Sequence, residues 1–197
     1  IVFLDSVVVG SHHNIFAVLI EPMTGEMDWT KTQLIGVLTV SAFASGLAGP
    51  IIGPMIDRYG PRMPLAIASL VGGFLLLGVA GIANLWQFYV LYGLLFGLLR
   101  PSLSELIGTV TVAQWFVRRR GIAFAFTSLS SPFGAAVMVP LAQIIITQYG
   151  WRGVWIGLAV LMWCMVCVPG FIFMRHRPED IGLHPDGIKL SSKNVSL

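Results

Sequence analysis

The sequence predicts an all-α membrane protein with six transmembrane helices. Of its 197 residues, 56% are hydrophobic and only 11% are charged, whereas about 25% charged residues is usual for a soluble domain. Six apolar segments reach the roughly 20 residues that a helix needs to cross ~30 Å of hydrocarbon. These segments lack the period-two alternation of barrel strands. The predicted fold is therefore a helical bundle.

The predicted bundle occupies most of the chain and is followed by a polar segment. Residues 175–197 are predicted to be a cytoplasmic tail or the start of a central loop. The first residue is Ile, and no polar segment precedes the first span, so we expect a trimmed N-terminus or a fragment. Cys164 and Cys167 lie in the last span, where we expect them to pack between helices. The predicted spans are 1–23, 32–56, 63–85, 86–115, 121–148 and 151–174.

A short internal repeat predicts how these helices are arranged. The sequence MIDRYGPRM at 55–63 is similar to IITQYGWRG at 145–153. Three spans separate the two stretches, and an odd number makes related hairpins face opposite sides of the membrane, as in inverted-topology repeats. The sequence therefore predicts two inverted three-helix repeats. The alignment pairs Ile56, Tyr59, Gly60 and Arg62 with Ile146, Tyr149, Gly150 and Arg152.

The distribution of basic residues predicts the orientation of the bundle. Lys and Arg are retained on the cytoplasmic side of a membrane. Alternate connections differ sharply in their number of basic residues, because one side carries only Lys31 and Arg152. We therefore expect the connections 57–62 and 116–120 and the C-terminal tail to be cytoplasmic, in a plasma (inner) membrane. The basic residues of that side are Arg58, Arg62, Arg118, Arg119, Arg120, Arg175, Arg177, Lys189 and Lys193.

The connection between the second and third spans resembles a family signature. Its pattern Gly53-x-x-x-Asp57-Arg58-x-Gly60-x-Arg62 is similar to the loop between helices two and three of the major facilitator superfamily. The six spans match the N-terminal half of that family's fold. Four further segments resemble the monocarboxylate-transporter and oxalate/formate-antiporter branch, namely 28–31, 115–123, 149–152 and 177–187.

The resemblance implies a role for this loop as a cytoplasmic latch. In the family, the acidic residue interacts with a helix N-terminus and a basic group in the other half, and this steadies the outward-open state. The role would fall on Asp57, with Arg58 and Arg62 as its local partners. A carboxylate at an exposed helix N-terminus is stabilised by roughly 0.3–1 kcal/mol. The alternative is that these charges only mark a positive-inside loop.

Arg100 is the clearest candidate for a substrate site. It lies 14 residues into the predicted span 86–115, near mid-depth, where a charged side chain costs about 2.5–3.5 kcal/mol on insertion scales. Its guanidinium matches a carboxylate substrate with paired donors. The alternatives are a structural pair with Glu105 or with a missing half, and close helix packing through the glycines. The residues on this helix face are Gly93, Gly97, Arg100, Ser104, Gly108 and Thr111.

Other polar residues within the spans are candidates for coupling. Glu105 points away from Arg100 and is expected to carry a proton or to pair with a buried Arg or backbone group. His12, His13 and Asn14 lie midway along the first span, where a histidine could donate to a substrate carboxylate or titrate. Adjacent helical residues point about 100° apart, so we expect one histidine to pack against a neighbouring helix.

The predicted function is secondary active transport of a small organic anion, such as a monocarboxylate, by proton symport or anion exchange with alternating access. The alternative is a non-transporting membrane sensor or assembly protein with the same fold. We expect no enzyme activity, cofactor or metal, because the sequence contains no nucleophile–base pair, metal spacing or phosphate loop. The expected partners are the anion, with or without a proton, the lipid bilayer, and a missing C-terminal six-helix half or a second copy. No nucleic-acid partner is expected.

Overall fold

The computed structural model describes residues 2–103 and 120–173, and every regular element in these ranges is helical. Two π-helical segments, π1 (Tyr89–Phe96) and π2 (Met162–Cys167), interrupt the α-helices. The α-helices are α1 (Val2–Gly10), α2 (His12–Met27), α3 (Lys31–Tyr59), α4 (Arg62–Ala80), α5 (Leu85–Phe88), α6 (Gly97–Leu103), α7 (Arg120–Ser128), α8 (Ser130–Leu161) and α9 (Val168–Phe173).

Consecutive elements join into six helical rods. Ser11 and Leu129 keep helical dihedral angles, so the elements on either side of them continue in one direction. The assigned helix α8 instead changes direction at Gly150, whose φ of 72° and ψ of 179° are not helical. We number the rods 1 (2–27), 2 (31–59), 3 (62–80), 4 (85–103), 5 (120–149) and 6 (151–173).

Each rod overlaps one predicted span, and the largest difference among the described residues lies at the end of rod 3. Rod 3 ends at Ala80, whereas its predicted span ended at residue 85, because Gly81 turns the chain and its N–H bonds back to Gly78 and Val79. Within the described ranges, three stretches are long and apolar enough to cross a membrane by length and composition. They are Lys31–Tyr59, Arg62–Ala80 and Gly121–Phe171, and the last includes the break at Gly150.

Close approaches between rods follow the predicted repeat. A Cβ on Gly134 of rod 5 would lie 2.7 Å from the Val7 carbonyl oxygen of rod 1, and a Cβ on Gly97 of rod 4 would lie 2.9 Å from Ser41 of rod 2. The Trp163 ring of rod 6 packs against Gly73 of rod 3. If rods 1, 2 and 3 are exchanged with rods 4, 5 and 6, respectively, the contact between rods 5 and 1 becomes the contact between rods 2 and 4. The contact between rods 3 and 6 is unchanged by this exchange. The packing is that of two inverted three-helix repeats.

Aromatic side chains on one face of rod 4 form the centre of the bundle. Phe88, Tyr92 and Phe96 are buried at four-residue intervals, so they lie one above another. Phe16 of rod 1 and Trp155 of rod 6 close this stack, with ring centroids 5.6 and 5.1 Å from that of Tyr92. Because lipid is as apolar as these side chains, their stabilisation comes from close packing, with about 0.5–1.5 kcal/mol for each favourable aromatic pair.

Candidate substrate site and gating turn

His12 lies near the middle of rod 1 and is buried against rod 4. Its ring stacks on Phe96 with centroids 5.5 Å apart, and only 6% of its surface is exposed. Nδ1 lies 2.9 Å from the Val8 carbonyl oxygen, which can only accept, so Nδ1 carries the proton. Nε2 is buried without a hydrogen-bond partner. In the neutral ring, this atom is an acceptor without a donor.

Arg100 lies one helical turn beyond Phe96, in α6, and is half-buried. The Phe96 ring contacts both the His12 ring and the Tyr92 ring. Within residues 2–103 and 120–173, no carboxylate forms an ion pair with Arg100. Ser104 and Glu105 lie outside the described residues, so the predicted alternative of an Arg100–Glu105 pair stays a prediction. His12 of rod 1 therefore contacts rod 4 at Phe96, one helical turn before Arg100.

The three polar residues of rod 1 do not share one environment. His13 and Asn14 are exposed on the surface of the six-rod bundle, whereas His12 is buried. This difference follows from the helix, which turns about 100° between successive residues. The histidine that packs against a neighbouring rod is therefore His12, whose ring stacks on Phe96 of rod 4.

The glycines on the Arg100 face are used for close helix packing. A Cβ on Gly97 would lie 2.9 Å from both the Cα and the carbonyl oxygen of Ser41, and a Cβ on Gly93 would lie 3.2 Å from Val40. These two glycines therefore let rod 2 approach rod 4. Of the two interpretations of the stripe, close packing describes Gly93 and Gly97, while the cavity interpretation depends on residues beyond Leu103.

Two buried polar groups near this site were not anticipated from the sequence. Ser41 of rod 2 is fully buried opposite Gly97, and its hydroxyl has no hydrogen-bond partner among the described residues. Tyr92 is buried and stacks on Phe96, the ring that also contacts His12. A serine in an otherwise apolar span is a weak signal, because most such serines bond to their own helix. Only the packing of rod 2 on rod 4 identifies Ser41.

The predicted gating turn lies between rods 2 and 3. Rod 2 ends at Tyr59, and Gly60 follows with φ 80° and ψ 166°, a conformation that is essentially restricted to glycine. Asp57 and Arg58 are exposed, and the Arg58 guanidinium lies 5.5 Å from the Tyr59 ring centroid. A Cβ on Gly53 would meet nothing within 4 Å, so no close approach inside this bundle requires glycine there.

The two arginines predicted as local partners of Asp57 make other contacts among the described residues. Arg62 donates to the Phe171 carbonyl oxygen of rod 6 at 2.6 Å, and its guanidinium lies 5.1 Å from the Phe171 ring centroid. Arg58 faces Tyr59. Among the described residues, Asp57 forms no ion pair or hydrogen bond. The reason is geometric, because the first turn of rod 3 packs beside the last described turn of rod 6.

A second charged cluster lies at the opposite end of the bundle. The Glu26 carboxylate at the end of rod 1 accepts from Trp151 Nε1 at 2.8 Å and from the Arg152 guanidinium. Arg152 also lies over the Trp151 ring, 4.3 Å from its centroid. The hydrogen bond from Arg152 lowers the pKa of the Glu26 carboxyl. The sequence identified Arg152 as part of the repeat but did not indicate its partner.

Comparison with known proteins places this fold in one family. The family model for the Major Facilitator Superfamily matches residues 2–190. Similar proteins include an MFS-type transporter of Aspergillus fumigatus, hasB, at 28% identity over 86% of this chain and 39% of the relative. A probable L-galactonate transporter of Escherichia coli is 28% identical over 69% of this chain and 30% of the relative. Human monocarboxylate transporter 1 is 25% identical over 85% of this chain and 32% of the relative.

These relatives are much longer than this chain, which spans between 30% and 39% of their length. The match nevertheless covers rods 1 to 6 without interruption. It also agrees with the signature between rods 2 and 3 and with the inverted packing of the two three-rod repeats. The chain therefore belongs to the major facilitator superfamily.

Proposed function

We propose that this chain is one six-rod half of a secondary transporter that moves a small organic anion, such as a monocarboxylate, across a membrane. Membership of a transporter superfamily supports the general activity. The substrate class is supported by relatives that are named monocarboxylate and L-galactonate transporters. It is also supported by the positive charge of Arg100, which the sequence predicts near mid-depth.

One observation carries the proposal: His12 is buried with Nε2 unpartnered and stacks on Phe96, one helical turn before Arg100 on rod 4. A charged residue at this depth is costly and marks a pathway for ions or substrates in many membrane proteins. A guanidinium binds a carboxylate with two parallel hydrogen bonds. The second group that binds the substrate would be the His12 ring. Because His12 is on rod 1 and Arg100 is on rod 4, a bound substrate would connect the two rods.

The tautomer of His12 favours proton symport over exchange. Because the Val8 carbonyl holds the proton on Nδ1, Nε2 can donate to a substrate carboxylate only when the ring is protonated. A carboxylate bound between Arg100 and His12 would therefore bring a proton with it. Anion exchange stays the alternative, in which the neutral ring packs on Phe96 throughout the cycle and takes no proton.

The gating turn is proposed to act as a cytoplasmic latch through Asp57. Asp57 is exposed and has no partner among the described residues, so its carboxylate is available to a helix N-terminus in a second six-helix half. This half would be a C-terminal continuation of the chain or a second copy. The exposed apolar side chains of rods 2 and 5, including Phe43, Ile51 and Phe133, would face that half or lipid.

Uptake by the full-length protein in proteoliposomes tests the proposal. Labelled lactate and other monocarboxylates are supplied with and without an inward proton gradient. We expect uptake that Arg100→Ala abolishes and that Arg100→Lys restores in part. The matched pair His12→Gln and His13→Gln changes neighbouring residues, of which one is buried and one is exposed. We expect only His12→Gln to remove the stimulation by the proton gradient.

Three other results would contradict the role of His12, proton symport or the transport function. Equal effects of the two histidine variants would remove His12 from the mechanism. Gradient-independent counterflow that survives His12→Gln would favour anion exchange. Absence of uptake for every carboxylate, with a folded protein in the membrane, would favour the sensor or assembly alternative.

A further inference from the structure

Rods 3 and 6 are joined by three contacts in strict antiparallel register. Trp163 Nε1 donates to the Leu70 carbonyl oxygen at 3.1 Å. The Cys167 thiol lies 3.8 Å from the Ala66 carbonyl oxygen. Arg62 donates to the Phe171 carbonyl oxygen at 2.6 Å. Each step moves four residues along rod 6 and four residues back along rod 3, which is about one helical turn on both rods.

The third contact differs from the other two in the direction of donation. Trp163 and Cys167 belong to rod 6 and reach carbonyls of rod 3, whereas Arg62 belongs to rod 3 and reaches a carbonyl of rod 6. It is also the only one of the three that brings a charge, and a charge-assisted hydrogen bond is roughly twice as strong as a neutral one. Its guanidinium contacts the Phe171 ring in addition.

Arg62 also marks the point at which rod 3 meets the gating turn. Gly60 and Pro61 alone separate it from the end of rod 2 at Tyr59. Arg62 is half-buried, its Nε is enclosed without a hydrogen-bond partner, and its guanidinium donates to rod 6. Arg58 lies four residues earlier in the sequence, on rod 2. It is exposed, and its guanidinium contacts the Tyr59 ring.

We infer that Arg62 is a positioning residue that fixes the 57–62 turn to rod 6, and that it does not serve as the ionic partner of Asp57. The turn and the last described turn of rod 6 then move together. A displacement of rod 6 at this end is then transmitted through Arg62 to the turn that joins rod 3 to Asp57 on rod 2. The anchoring follows from the contacts alone, while its effect on transport rests on the proposed function of Asp57 as a latch.

The anchor is tested by a distance measurement across the contact. Spin labels are attached at Met63→Cys and Val168→Cys, which are equally exposed at 52% and lie on rods 3 and 6. Both native cysteines of the described residues are first replaced by serine, as Cys164→Ser and Cys167→Ser. The hydroxyl introduced by Cys167→Ser can still donate to the Ala66 carbonyl oxygen. Distance distributions are recorded on the full-length protein in nanodiscs, with Arg62 intact, with Arg62→Gln, and with Arg58→Gln as the matched control for loss of one charge.

We expect a narrow distribution for the parent and for Arg58→Gln. Arg62→Gln should shift the mean to longer distance and broaden the peak. Arg62→Lys, which keeps the charge and one donor, should restore the narrow peak in part, and it replaces Arg62→Gln if that variant is not recovered folded. A distribution for the arginine variants that superimposes on the parent would overturn the anchor.

Uptake measured on the same proteins separates this inference from the proposed function. A widened distance with Arg62→Gln, in a parent protein that takes up no carboxylate, keeps the anchor and rejects the transport proposal. Unchanged distances with loss of uptake in both Arg58→Gln and Arg62→Gln would reject the anchor and leave a role for the positive charge of the turn.

Discussion

The hydroxyl of Tyr89 fills the space above Gly36, where rod 4 crosses rod 2. Tyr89 Oη donates to the Gln33 carbonyl oxygen at 2.9 Å, and a Cβ added to Gly36 would lie closer than 3.0 Å to this hydroxyl and 3.4 Å from Cζ. Gly36 is therefore the residue that admits the Tyr89 side chain, and the two positions depend on each other.

Gly36→Ala should destabilise the bundle because the new methyl group displaces Tyr89. Overpacking of this kind costs about 1–3 kcal/mol. Tyr89→Phe removes the hydroxyl and should cost about 0.6 kcal/mol, a typical value for a hydrogen bond in a membrane protein. The double variant should cost less than the sum of the two, because Phe relieves the clash. Thermal unfolding in detergent measures all three, and additive effects would contradict the contact.

The two glycines of the rod 2–4 contact should differ in their tolerance of alanine. A Cβ on Gly97 meets the backbone of Ser41 at 2.9 Å, whereas a Cβ on Gly93 meets the Val40 side chain at 3.2 Å. Side chains can rotate and the backbone cannot, so Gly97→Ala should cost about 2–3 kcal/mol and Gly93→Ala less than about 1 kcal/mol. The shift of the unfolding midpoint measures this order, and equal shifts would contradict it.

Gly150 should be required for its backbone conformation alone. Its φ is 72°, and a Cβ there would meet nothing within 4 Å, so Gly150→Ala introduces strain without a clash and should cost about 1–3 kcal/mol. Gly46 provides the control, since its Cβ would also meet nothing within 4 Å and it lies inside α3. Gly46→Ala should stabilise the helix by up to about 1 kcal/mol. Thermal unfolding should therefore move the two midpoints in opposite directions.

The Glu26–Arg152 pair should make a small, pH-dependent contribution to stability. Arg152 lowers the pKa of Glu26 below 4.5 in the folded protein, so the stabilisation is present above the unfolded-state pKa and is lost as the pH falls through the folded value. Both side chains are 40–49% exposed, which limits the effect to about 0–1 kcal/mol. The midpoint difference between the parent and Glu26→Gln should shrink below about pH 4 and at high salt. Glu21→Gln, which removes an exposed carboxylate on the same rod, is the control and should lack this pH-dependent difference.

The internal repeat shows how far a short sequence match can be interpreted. The alignment of MIDRYGPRM with IITQYGWRG predicted equivalent turns, and Gly60 (φ 80°, ψ 166°) and Gly150 (φ 72°, ψ 179°) share one backbone conformation. Their arginines nevertheless have different partners, the Phe171 carbonyl for Arg62 and the Glu26 carboxylate for Arg152. Local backbone geometry follows from the residues of the turn, whereas a long side chain binds whichever rod packs beside it.

By itself, the sequence determined the helical membrane fold and the inverted repeat, while the depth of Arg100 in the membrane stays a prediction. These properties depend on hydropathy, segment length and turn residues, which are local. Only the tertiary structure decided that His12 rather than His13 is buried against Phe96 of rod 4, that Gly93 and Gly97 pack against rod 2, and that Arg62 binds rod 6. Each of these depends on the rotation of a rod about its axis and on the neighbour it meets, and such contacts join residues far apart in the chain.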